Sequence, residues 1–312
     1  MTTASAVPTT RGEELEGDEA LETLRSVGRR RLAVDAVTRF RAADGFSHSR
    51  ALAFQFTLTL LPALIALVGF AAALDQESVT RTVRATVSAL APGAAGEILT
   101  DALRQGSSAA SRENGETALA GGLAAAVIAG TTAMAQLERA ANRMYGIERD
   151  RPFVSKYLNG LLLAVTAGFA ALASVVLLVG GAAVRRTVDW GETFDAVWAV
   201  VRWPLGLAFA VLAIALLFER SPRRRQPEPS WLAFGAGAAT ALWVAFMGVF
   251  ALYVEATSSF GATYGPLAGT IGVLLWTFLS AIALLAGLAL AAQLEAVRAG
   301  VAAPRVDRDE NL

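Results

Sequence analysis

Glu138 and Asn142 stand four residues apart, so a helix through them places an acid and an amide on one face, with Arg139 and Arg143 on the adjacent one. With Gln136 just before them, such a set can line the inner vestibule of a membrane path or hold a polar ligand. Helix capping and basic-loop topology account for the same residues without a ligand. A second polar set, Gln55, Thr57 and Thr59, precedes Pro62, where proline frees a carbonyl and bends a helix. Gln55, Thr59 and Pro62 are therefore candidate cavity residues, or else helix-to-helix hydrogen-bonding groups beside a kink. The sole histidine, His48, has no second imidazole or cysteine to share a metal with, and cysteine is absent from the chain. A thiol nucleophile, zinc cluster or haem ligand pair has nothing to be built from, so no catalytic residue, metal ligand or cofactor is assigned.

The elements that must position these residues follow from composition. The 312 residues are 54% hydrophobic and 17% charged, with a mean hydropathy of +0.48, too apolar for a surface that faces only water. Six stretches suit a helix crossing about 30 Å of hydrocarbon. They are residues 51–74, 117–137, 158–184, 197–218, 231–254 and 264–292. Without alternating polar residues a β-barrel is disfavoured, so the expected fold is all-α: a polytopic membrane protein with six transmembrane helices. The spans hold no Asp or Glu near their centres, which argues against a buried carboxylate relay.

Lys and Arg fall unevenly between the connecting segments. Those at 1–50, 138–157, 219–230 and 293–312 hold 20, against 6 in the three between them. The basic set belongs inside, so both termini are expected in the cytoplasm of a multi-pass plasma (inner) membrane protein. Residues 1–30 read as a disordered or weakly ordered tail, 31–296 as the membrane domain and 297–312 as a second tail. Leu32, Ala36, Val37 and Phe40 share a helical face, predicting an amphipathic cytoplasmic helix on the membrane surface. Val79, Val83, Val87 and Leu90, then Ile98, Ala102 and Leu103 after Pro92-Gly93, predict a helical external loop. Arg202 before Trp203-Pro204 reads as an interfacial anchor.

Gly261, Gly265, Gly269 and Gly272 step by four, four and three, a strip without side chains that another helix can approach closely, with Gly287 extending it. Membrane lipids are the expected partners, and the glycine strip leaves a homo-oligomer open. A net charge of zero offers no global field for nucleic acid.

Three blocks resemble the YihY/virulence factor BrkB family of six-span inner-membrane proteins. The first runs from Ala51 through Gln55, Thr57 and Thr59 to Pro62; the second from Leu137 to Gly146, ending with Arg151-Pro152. The third runs from Tyr264-Gly265-Pro266-Leu267-Ala268-Gly269 through Trp276 and Ser280 to Gly287. The family's Gly-Ala-Glu-Leu-Asn run is expected to be missing, since Gly287 is followed by Leu288, Ala289, Leu290 and Ala291. The resemblance implies six spans but no settled activity; an old ribonuclease BN label finds no acid, base and metal set in these residues. The expected function is a transporter, exporter or lipid-handling envelope factor that does not use a mid-membrane carboxylate. The alternative is a non-enzymatic scaffold that organises partners through the glycine face.

Overall fold

A computed structural model describes residues 3–9, 17–73, 115–175, 191–256, 267–301 and 303–306, with the isolated positions 97, 100, 101, 104 and 177. The expected external loop helices, Gly261, Gly265 and the Gly265-Pro266 kink lie outside the described residues. Within them the chain is helical: α1 (Gly17–Val27), α2 (Arg29–Ala42), α3 (Gly45–Ala73), α4 (Gly115–Met144), α5 (Phe153–Val175), α6 (Glu192–Arg220), α7 (Pro229–Ala256) and α8 (Ala268–Arg298). A two-residue strand at each end, β1 (Thr3–Ala4) and β2 (Arg305–Val306), forms one short antiparallel pair.

Among the described residues five helical segments are long and apolar enough to cross a membrane: Ala120–Met144, Phe153–Ser174, Ala196–Arg220, Pro229–Ala256 and Ala268–Arg298. The sixth stretch expected from sequence lies in α3, a 29-residue helix containing Pro62. Several helices overrun their apolar windows at one end. α4 continues past residue 137 to Met144, and α8 past 292 to Arg298. Their final turns are polar in sequence yet buried in the protein, with Glu138, Asn142, Gln293 and Glu295 all 0% exposed.

The packing order follows the chain. Among the described residues α3 lies against α4, α4 against α5, α5 against α6, α6 against α7 and α7 against α8, and α8 returns to α3. The α7–α8 contact is a close one, made by small residues on both sides: a Cβ at Gly287 would stand 2.5 Å from the Ala239 Cβ and 2.6 Å from the Gly235 carbonyl oxygen. Gly269 and Gly272, higher on α8, are buried. Outward faces are apolar, as lipid demands: Ile128, Phe169, Val200, Val249 and Leu252 are exposed.

Two N-terminal expectations change. Leu32, Ala36 and Phe40 of α2 are buried with Arg39, because this face packs on the bundle, chiefly on α8, and not on lipid. Only Val37 of the predicted apolar set is exposed. Parts of the segment read as a weakly ordered tail also have defined places: Ala4, Ser5 and Val7 are buried, and α1 contacts α7, α8 and α2.

Candidate functional site

At one end of the bundle the last turns of α4 and α8 meet the α4–α5 and α6–α7 connections and the N-terminal segment. α4 stops there because Gly146 takes a positive φ of 70°. Ile147 N–H then returns to the Asn142 carbonyl at 2.8 Å and Gly146 N–H to Arg143 at 3.1 Å, satisfying carbonyls a helix end leaves free. α8 ends the same way at Gly300, whose φ is 79°, with Val301 N–H on Ala296 at 2.8 Å.

Glu138 and Asn142, expected along a vestibule, are instead completely buried and fully engaged in fixing loops. Glu138 accepts from the Arg151 backbone N–H at 3.0 Å and from its guanidinium at 2.8 Å. Arg139 and Arg143, the cations expected beside Glu138, point elsewhere: Arg139 reaches Asp150 and Arg143 the Ile147 carbonyl. Arg151 also donates to the Ser221 and Pro222 carbonyls at 2.9 and 2.8 Å. It thereby joins the connection after α4 to the one after α6.

Asn142 bridges in parallel, donating to Asp150 at 2.9 Å and accepting from the Arg223 N–H at 2.7 Å. Lys156, the single lysine of the chain, donates to Asp150 at 2.8 Å. Burial pushes the Asp150 carboxyl up, but the hydrogen bonds from Lys156, Asn142 and Arg139 outweigh it and bring it down to about 2.

Beside this lies a second polar cluster. Arg39 of α2, 0% exposed, donates through Nε to Gln293 at 2.7 Å and through Nη1 to the Ser5 and Met144 carbonyls at 2.8 and 3.1 Å. Arg224 pairs with Glu295 and donates to the Val7 and Pro8 carbonyls at 3.4 and 3.0 Å. Its guanidinium lies 4.7 Å from the Tyr145 ring centroid, a cation–π contact. Burial lowers the Arg39 guanidinium to about 10, which still leaves it charged at neutral pH, and raises the Tyr145 phenol, which stays neutral. Chemically the cluster is a desolvated pair of guanidinium groups suited to holding oxygen acceptors.

Further along the bundle, polar groups pair between helices. Thr57 and Thr277 hydroxyls are 3.1 Å apart, Thr132 donates to the Gln55 amide oxygen at 3.3 Å, and Trp243 donates to Ser280 at 2.9 Å. Thr59 bonds back to the Gln55 carbonyl at 2.8 Å. Gln136 and Pro62 are half-buried, and no hydrogen bond joins the α3 set to Glu138 and Asn142. Among the described residues no three of His, Asp or Glu come together as a metal site requires.

Comparison with known proteins matches residues 36–310 to the model of a family described as virulence factor BrkB. The chain belongs to the virulence factor BrkB family. It is 27% identical over 254 residues to a Bacillus subtilis protein named putative ribonuclease-like protein YfkH, covering 80% of this chain and 90% of that one. It is 29% identical over 273 residues to a UPF0761 membrane protein of Chromohalobacter salexigens, covering 83% of this chain and 62% of the relative. No solved structure matches.

Within this BrkB-family chain, the second resembling block is the one that builds the site. Glu138, Asn142, Tyr145, Gly146 and Arg151 all take part in it. The run after Gly287 holds no acid or amide, while Gln293 and Glu295, further along α8, are each buried on an arginine. Sequence alone offers no motif for Arg224 or Gln293, sets Glu295 apart from the family run and puts Arg39 off the apolar face of its helix. The spacing of Leu32, Ala36, Arg39 and Phe40 is the signal that would bring Arg39 inward.

Proposed function

We propose that this BrkB-family protein is a six-span plasma-membrane protein, with both termini in the cytoplasm, that moves a substrate across or within the membrane. It is a transporter, exporter or lipid-handling factor of the envelope, not an enzyme, and it does not couple through a mid-membrane carboxylate. The observation that supports this reading is the packing order. Among the described residues six helices follow one another around a closed circuit, α3 to α8 and back to α3, an arrangement that a helix-lined path can use.

The orientation is supported by the site itself. Segments from all four basic stretches join at one end of the bundle, through Arg39 to Gln293, Arg151 to Ser221 and Arg224 to Glu295. Positive charge is retained on the cytoplasmic side. The scaffold alternative needs the glycine face for a partner, yet Gly287 is already covered by α7 of the same chain.

Reconstitution into liposomes with a panel of lipids, ions and amphiphiles tests the reading. Flux that depends on protein is expected, and it is expected not to be driven by an imposed pH gradient. Absence of flux across the panel would favour the scaffold. Gradient-driven flux that disappears when Glu138 and Glu255, an exposed acid in the last turn of α7, are both replaced by Gln would place one of these acids in a coupling site and overturn the proposal.

A further inference from the structure

Residues 3–9 lie over the end of the bundle as a strap, and the segment matched to the BrkB family, 36–310, begins after them. Ala4 and Val7 are buried, and the Val7 N–H donates to the Tyr145 carbonyl at 3.1 Å. The strap crosses Gly146 so closely that a Cβ there would stand 2.6 Å from the Ala6 Cα. To the two arginines beneath it, however, the strap presents only main-chain carbonyls, those of Ser5, Val7 and Pro8.

A desolvated guanidinium is stabilised far better by an oxyanion than by a carbonyl dipole, since charge-assisted bonds are roughly twice as strong as neutral ones. Arg224 lies on the Tyr145 ring and pairs with Glu295, while Arg39 reaches Gln293 and the Met144 carbonyl next to Tyr145. Arg39 Nη2 is buried without a hydrogen-bond partner. Both arginines are meanwhile oriented from α8, by Gln293 and Glu295, through contacts that do not involve the strap. The cluster is thus preorganised by parts of the protein inside the family-matched segment, with two buried guanidinium groups and one donor free.

We propose that Arg39 and Arg224 form a binding site for a phosphate oxyanion, and that residues 3–9 occupy it in competition with that ligand. The carbonyl oxygens of Ser5, Val7 and Pro8 stand where phosphate oxygens bind. The same chemistry is offered by a phospholipid headgroup or by a soluble phosphate ester. The site does not depend on whether the protein transports anything.

The absence of cysteine from the chain allows a direct test. Ser5→Cys places a single thiol in the strap, at a position 6% exposed whose backbone, not side chain, meets Arg39. The full-length variant in neutral detergent is reacted with a maleimide alone and with phosphatidic acid, with diacylglycerol of the same chains, and with glycerol 3-phosphate. Labelling is expected to be slow without ligand and at least about tenfold faster with a phosphate-bearing compound, the fraction of open strap rising with occupancy. Acceleration by phosphatidic acid alone assigns the headgroup as the source, and acceleration by glycerol 3-phosphate assigns a soluble ester. Adding Arg39→Gln is expected to abolish the effect; should that variant fail to fold, the Ser5→Cys arms decide by themselves. Equal rates with and without phosphate, equal acceleration by diacylglycerol, or a thiol that reacts without ligand as fast as in denatured protein would each overturn the proposal.

Discussion

Adding one methyl group at Gly287 is expected to destabilise the protein, although alanine is the better helix former. The new Cβ would stand 2.5 Å from the Ala239 Cβ and 3.0 Å from the Ala239 Cα, whereas carbon atoms rest about 3.5–4.0 Å apart. Backbone on both sides leaves no flexible side chain to swing away, so α7 and α8 must separate by roughly 1 Å over the contact. Overpacking of this kind costs about 1–3 kcal/mol, before the loss of neighbouring contacts is added. Replacing glycine with alanine inside a helix returns at most ~1 kcal/mol, so Gly287→Ala is net destabilising. Gly237 in α7 is the internal control, since a Cβ there meets nothing within 4 Å. Gly237→Ala should therefore melt at or slightly above the parent temperature. Thermal unfolding of the parent and both variants in one detergent, followed by size-exclusion recovery, makes the comparison. If Gly287→Ala melts with or above the parent, the α7–α8 interface is not the close contact described, and the argument for it fails.

The paired loops give a second expectation: Arg151→Met strands the Glu138 carboxylate, whose side chain is 1% exposed. Breaking a buried pair in this way costs about 3–5 kcal/mol, and melts of the single and double variants with Glu138→Gln should show coupling well short of additivity. Asp150 has its folded pKa depressed from 3.8 to about 2, so its contribution is present above pH 4 and lost as pH falls through 2. A shift of this size corresponds to about 2 kcal/mol, and Asp150→Asn should lose stability at pH 6 while flattening the pH dependence between 4 and 2. A parent-like acid profile in that variant would mean Lys156 and Asn142 do not hold the carboxylate as described. For topology, single cysteines at Ser107 and Ser26 should differ in intact spheroplasts, position 107 reacting with an impermeant thiol reagent and position 26 not; the reverse would invert the orientation.

Hydropathy located the helices because twenty apolar residues have few other places to be, but it marked their ends by where polarity begins. At the site end of the bundle that criterion fails for a physical reason. The last turns of α4 and α8 are polar yet buried, their charges being met by Arg151, Arg39 and Arg224 from distant parts of the chain. Local sequence holds no trace of partners 13 to 254 residues away. The arginines are hidden for a related reason: a count of charge over a basic segment does not separate a solvated arginine such as Arg41 from the buried Arg39 two residues before it.

What distinguishes Arg39 is helical phase, since it lies three residues after Ala36 and seven after Leu32 on the face that packs inward. The same logic applies to Gly146. Its positive φ ends α4, but its second constraint, the strap crossing within contact distance, comes from residues 140 positions earlier. Burying cations under a segment outside the family-matched region is costly unless something repays it. Gln293, Glu295, the Met144 carbonyl and the carbonyls of three strap residues meet most of these donors and leave Arg39 Nη2 without a partner, which is why the end of the bundle, rather than its middle, is where a ligand is expected.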